Sequence, residues 1–156
     1  MNPSIHIIGL GNPVAGDDAI GLLLVKELGT FYQSNPNIQI TACSQSGLYL
    51  LDLLVGFKTV IIIDAIINEK RPIGEVLPLE LPEEKKLPQG ISPHFIGITS
   101  VITLGEKYQL QMPENLQIIG IVIHEHQEIR ERLSPELENK FTEIISNTTQ
   151  MIDQLI

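Results

Sequence analysis

The chain is poor in the residues that staple, stack or bind polyanions. A single cysteine, Cys43, excludes an intrachain disulfide framework, fits a reducing compartment, and is expected as a small buried apolar residue. Tryptophan is absent and aromatic residues make up 4% of the chain, so stacking platforms for nucleobases are missing. The net charge is -9, and basic residues such as Lys26, Lys58, Lys70-Arg71, Lys85-Lys86, Arg130 and Arg132 are scattered. No basic stripe exists to displace counterions from a phosphate backbone, which excludes nucleic acid as a partner. No apolar run nears the roughly 20 residues of a membrane span. The start, Met1-Asn2-Pro3-Ser4, carries no basic n-region, so the expected setting is the cytoplasm, away from membranes.

What is present is enough for a real core. With 156 residues, 43% of them hydrophobic, the chain fits one domain spanning residues 1–156. Ser4 to Leu10 reads as a buried strand, and Ala19 to Leu28 carries a helical apolar face that stops at Gly29. Asn37 to Ala42 alternates like a strand, and Leu48 to Val55 forms a second helix. Thr59 to Ile63 is β-branched and apolar on both faces, as in the middle of a parallel sheet, and Asp64 ends it. Gly74 to Leu81 suits an antiparallel edge, given Pro78 and Pro82. A polar loop, Glu83 to His94, leads to a helix around Phe95 to Lys107, and Leu116 to Ile123 is the last core strand. Ser134-Pro135-Glu136 then opens the C-terminal helix, with a cap and proline at its first position. This order predicts a three-layer α/β/α sandwich around a mostly parallel twisted sheet of about five strands, one antiparallel at an edge.

The chemistry concentrates in the first strand-to-helix turn, Gly9-Leu10-Gly11-Asn12-Pro13-Val14-Ala15-Gly16-Asp17-Asp18. Such turns are where open α/β sheets place ligands. A dinucleotide fingerprint fails, because Val14 stands where the third glycine belongs and Asp17 and Asp18 would repel an anion from the helix N-terminus. A cation suits the turn; a simple helix cap by either aspartate explains it equally well. Asp64, at the end of an apolar strand, is either a functional carboxylate or a cap or turn residue. Strand order brings Asp18 and Asp64 to one sheet edge. Joined by the imidazole of His94, they make a mixed oxygen and nitrogen set for a borderline divalent metal, with positions left for substrate. His124-Glu125-His126 lacks the His-Glu-x-x-His spacing of a metalloprotease helix and is expected as a solvated connector, while His6 is expected to be packed or paired. No serine-hydrolase elbow appears, and Cys43 has no nucleophile signature around it.

These motifs, taken together, resemble the hydrogenase maturation proteases. The resemblance rests on Gly9-Leu10-Gly11-Asn12 followed by Asp17-Asp18-Ala19-Ile20-Gly21, then Ser46-Gly47-Leu48-Tyr49-Leu50-Leu51, Ile63-Asp64-Ala65 with Gly74, Ser92-Pro93-His94, and Leu133-Ser134-Pro135-Glu136. It implies an endopeptidase that removes a C-terminal extension from the large-subunit precursor of a nickel-iron hydrogenase after nickel insertion. It further implies Asp18, Asp64 and His94 as metal-contacting and candidate catalytic residues. Nickel would come with the precursor, another divalent metal being able to take its place in a crystal, and the protease is expected to be a monomer. Two departures stand out: the family often has Glu at position 18, and an arginine soon after the helix start is replaced by Leu22-Leu23-Leu24.

Two rivals share these residues. Peptidyl-tRNA hydrolases also open with Gly-Leu-Gly-Asn-Pro, but they continue with a Thr-Arg-His-Asn element where this chain has Gly16-Asp17-Asp18-Ala19, and its acidity suits tRNA poorly. A nickel checkpoint that binds the precursor without cutting it would use the same side chains as the protease.

Overall fold

The structure, a computed structural model, describes residues 2–81, 97–125 and 128–156. Five strands form one sheet: β1 (Ile5–Leu10), β2 (Ile38–Cys43), β3 (Thr59–Ile67), β4 (Val76–Leu79) and β5 (Asn115–Ile123), in the spatial order β2-β1-β3-β5-β4. All neighbours run parallel except β4, which pairs antiparallel with β5 at the edge. Pro78 lies in that edge strand, opposite Ile119, a position where a missing N–H is tolerated.

Helices cover both faces, as a sheet apolar on two sides requires. On one face α1 (Ile20–Tyr32), α4 (Pro135–Asn139) and α5 (Phe141–Leu155) bury Ile20, Leu24, Leu137 and Ile144 against Ile7, Ile61, Ile63 and Ile121. On the other, α2 (Tyr49–Leu54) and α3 (Ile98–Lys107) bury Leu50, Leu54, Ile98 and Val101 against Ile8, Val60, Ile62 and Ile118. The strand period of two divides β1 and β3 between these cores. The expected three-layer sandwich is therefore the observed one.

Several boundaries differ for identifiable reasons. The first helix does not stop at Gly29 but runs to Tyr32, held by packing of α1 on β1 and β2 rather than by local propensity. The second helix is shorter than Leu48–Val55, since Val55 leaves with an extended backbone at ψ 134. The edge strand starts at Val76 rather than Gly74, whose φ of +84 belongs to a turn. The C-terminal helix begins at Ser134-Pro135 as expected but is split at Lys140, whose side chain donates to the Ile73 carbonyl at 3.0 Å. The most consequential correction concerns Asp64. It does not end β3: Ala65, Ile66 and Ile67 continue the ladder opposite Ile121, Val122 and Ile123. The long β5 partner, apolar through Ile123, supplies the pairing that the aspartate seemed to interrupt. Pro82, the loop 83–94 and the start of the helix expected near Phe95 lie outside the described residues.

His6 is fully buried, as expected of a packed residue. Its Nδ1 lies 2.8 Å from the Leu53 carbonyl, so Nδ1 must carry the proton, and neutral Nε2 accepts from the Thr41 hydroxyl at 2.7 Å. Burial lowers its pKa from 6.5, opposed in part by the Leu53 bond. The unfolded chain then binds more protons than the native one near pH 6, so stability present above pH 6.5 falls as pH drops through the lower native value. Denaturant titrations from pH 8 to 5 should register this decline, and His6→Gln should flatten it. Gly29→Ala should stabilise the protein by about 0.5–1 kcal/mol, since nothing lies within 4 Å of the added Cβ inside the helix; a urea midpoint series measures it.

Candidate functional site

The candidate site grows out of how closely α1 lies on the sheet. A Cβ on Gly9 would stand 2.1 Å from the Gly21 carbonyl oxygen, and one on Gly21 would meet the carbonyl oxygens of Leu10 at 2.2 Å and Ile63 at 2.6 Å. Only glycine at both positions lets backbone touch backbone, and that contact hangs the intervening turn over the ends of β1 and its neighbour. Gly16, at φ +58, then reverses the chain into a short 3-10 turn, Gly16–Ala19.

The N-cap positions of the turn and of α1 are held by Ala15 and Ala19, so neither aspartate stands at a cap position. The capping alternative is thereby removed. Asp17 is buried, with 2% of its surface exposed. Its Oδ1 accepts the Ser134 backbone N–H at 2.6 Å and its Oδ2 accepts the Ser134 hydroxyl at 2.8 Å. Asp18 is half-buried, and its Oδ2 accepts the Asn12 N–H at 2.9 Å. Asn12 bends the loop through a bond from the Val14 N–H to its own Oδ1 at 3.1 Å. Residues 128–132 flank the turn: Gly16 N–H donates to the Arg130 carbonyl at 2.8 Å and Arg130 N–H to the Val14 carbonyl at 3.0 Å.

Asp64 is fully buried, and its Oδ1 accepts the Ala65 N–H at 2.8 Å. Although inside β3, it lies one residue past Ile63, which is opposite Gly9, and so at the level where β1 leaves the sheet. The structure thus brings Asp64 and the turn of Asp18 to the same carboxyl edge. By strand alternation Asp64 follows Val60 and Ile62 toward the α2 and α3 face, whereas the turn passes over the edge to α1. His94 lies outside the described residues. Among the described residues no three of His, Cys, Asp and Glu form a group that could hold a metal ion.

Two other expectations resolve differently. Cys43 is buried, as expected, at the end of β2. His124 is only partly the solvated connector expected: it donates from Nε2 to the Arg71 carbonyl at 2.9 Å, and Nδ1 is 3.8 Å from Glu69. His126 lies outside the described residues. Sequence reasoning missed the pairing of Ser134 with Asp17; it recognised Ser134 only as a cap, a role it also fills by accepting the Leu137 N–H at 3.4 Å.

Fold and turn together define a class, an α/β protein that presents carboxylates at the carboxyl edge of a parallel sheet. The sequence model described as "HycI: Hydrogenase maturation protease" matches residues 22–151. The chain belongs to the hydrogenase maturation protease family. It is 30% identical over 119 residues to the hydrogenase 2 maturation protease of Escherichia coli K12, covering 76% of this chain and 72% of that protein. It is 23% identical over 155 residues to the hydrogenase expression/formation protein HupD of Thiocapsa roseopersicina, covering 98% and 69%. Among solved structures, the hydrogenase maturating endopeptidase HybD from E. coli superposes with a TM-score of 0.75 at 24% identity, over 99% of this chain and 93% of the other. The NiFe hydrogenase maturation protease HybD from Thermococcus kodakarensis gives 0.68 at 25% identity, over 97% and 99%. The peptidyl-tRNA hydrolase alternative falls with this result. The family match begins after the opening turn, so the geometry of that turn is evidence independent of it.

Because the Gly21 contact is backbone against backbone, no side-chain shift can relieve an added methyl. Gly21→Ala should cost about 2–4 kcal/mol, read as a lowered urea midpoint, in contrast to the gain at Gly29.

Proposed function

We propose that this hydrogenase maturation peptidase removes a C-terminal extension from a nickel-iron hydrogenase large-subunit precursor after nickel insertion, and recognises the nickel that the precursor carries. The observation that carries the reading is the pair of aspartates at one sheet edge, Asp18 in a turn fixed by Asn12 and Asp64 buried in β3. Two carboxylate donors joined by an imidazole suit a borderline divalent ion that already has thiolate ligands from the precursor. Asp18, Asp64 and His94 would be the contacting groups on this chain.

Asp18, Asp64 and His94 would contact the metal that the docked precursor carries, and that metal would supply Lewis acidity. The chain's own task is to orient the scissile peptide and move a proton. Asp18, half-buried with its Oδ2 on the Asn12 N–H, is the candidate base. Asp64, fully enclosed, suits a fixed negative charge that favours a cation at the edge. A checkpoint that binds without cutting is the competing outcome of the test.

Nickel-loaded and nickel-free precursor from the source organism should be incubated with the protein and the precursor's C-terminus weighed by mass spectrometry. Mass loss is expected from the loaded form alone. Asp18→Asn and Asp64→Asn should each lower cleavage at least about 100-fold while circular dichroism stays native. Binding of the loaded form without mass loss would replace the protease reading with the checkpoint, and full activity in both variants would overturn the site.

A further inference from the structure

We infer that Asp17 is a positioning residue for Asp18, and that through Ser134 it makes the C-terminal segment part of the site. The inference rests on the reading of Asp18 as a group that meets the precursor. Asp17 is nearly as buried as the core isoleucines, yet it is a carboxylate, and both of its oxygens receive a hydrogen from one residue. Burying a charged group returns little net stability compared with an apolar side chain of similar size. What a bidentate contact does supply is direction, because two bonds to one partner fix rotation as well as distance.

The Ser134 hydroxyl is used twice. It donates to Asp17 Oδ2 and accepts the Leu137 N–H, so the capped start of α4 is rigidly joined to the turn. The backbone bonds between Arg130 and residues Val14 and Gly16 hold the same turn from the adjoining stretch. On its other side Asp18 is tied to Asn12. The peptide that carries Asp18 is therefore anchored on both sides, and removing the Asp17–Ser134 contact loosens the hold next to it. An error of about 1 Å in a reacting group can cost about 100-fold in rate.

The test uses the full chain and nickel-loaded precursor, with kcat and KM for cleavage measured well below the unfolding midpoint. Ser134→Ala and Asp17→Ala should each lower kcat about 10- to 100-fold, with KM little changed and circular dichroism native. Ser134→Thr, which keeps both donors, should stay within about threefold of the unaltered protein. The double variant Asp17→Ala with Ser134→Ala should be no worse than the poorer single, because both break one contact. If Asp17→Ala does not fold, the Ser134 pair still decides. A lowered unfolding midpoint in Ser134→Ala with unchanged kcat would mean a structural role only and overturn the inference, as would losses that multiply in the double variant. Asp18→Asn separates the two levels: full activity there removes the reading of Asp18 and the inference with it. An inactive Asp18→Asn beside a fully active Ser134→Ala removes the latch alone.

Discussion

The contact on which the rest depends is the one between two glycines. Gly9 in β1 and Gly21 in α1 let the first helix lie directly on the backbone of the sheet, against Leu10 and Ile63. A helix held off by ordinary side chains would lie farther from the sheet. Its N-terminal turn could not then sit over the end of β1. Close approach shortens the connection, and a short connection dictates where its polar groups go. Asn12, Asp17 and Asp18 are not placed by their own preferences so much as by the surface beneath them.

Adjacent aspartates in that turn divide the work. Asp17 is turned inward, where both its oxygens accept from Ser134; Asp18 is half-buried and accepts the Asn12 N–H. An inward neighbour of like charge also holds negative potential at the turn, which favours a cation and disfavours phosphate there.

Most of the architecture was legible because its signals are periodic or categorical. The two-faced apolar run Thr59–Ile63, the edge proline Pro78 and the Ser134-Pro135 helix start led to the observed layers and strand direction. The failures share a cause. Gly29 and Asp64 are residues that locally end a helix or a strand, and in both places a long partner element overrides them. The site was half legible. Asp18 and Asp64 could be assigned to one edge from strand order alone, whereas the roles of Asp17 and Ser134 could not, because they depend on a contact across 117 residues. Sequence spacing carries no trace of such a contact; the two residues read individually as caps, and one of them is.

That separation also sets a timetable. A ribosome adding about 5–20 residues per second takes roughly 6 to 25 s to proceed from Asp17 to Ser134, so the acidic turn is made long before its clamp. Until the segment that holds Ser134 has emerged and packed, the nascent protein holds the acidic turn without its Ser134 contact. A protein-cutting enzyme gains from this order of assembly. Its Asp17–Ser134 contact can form only once the chain has emerged past Ser134, and a chain that stalls or is truncated before that point lacks it.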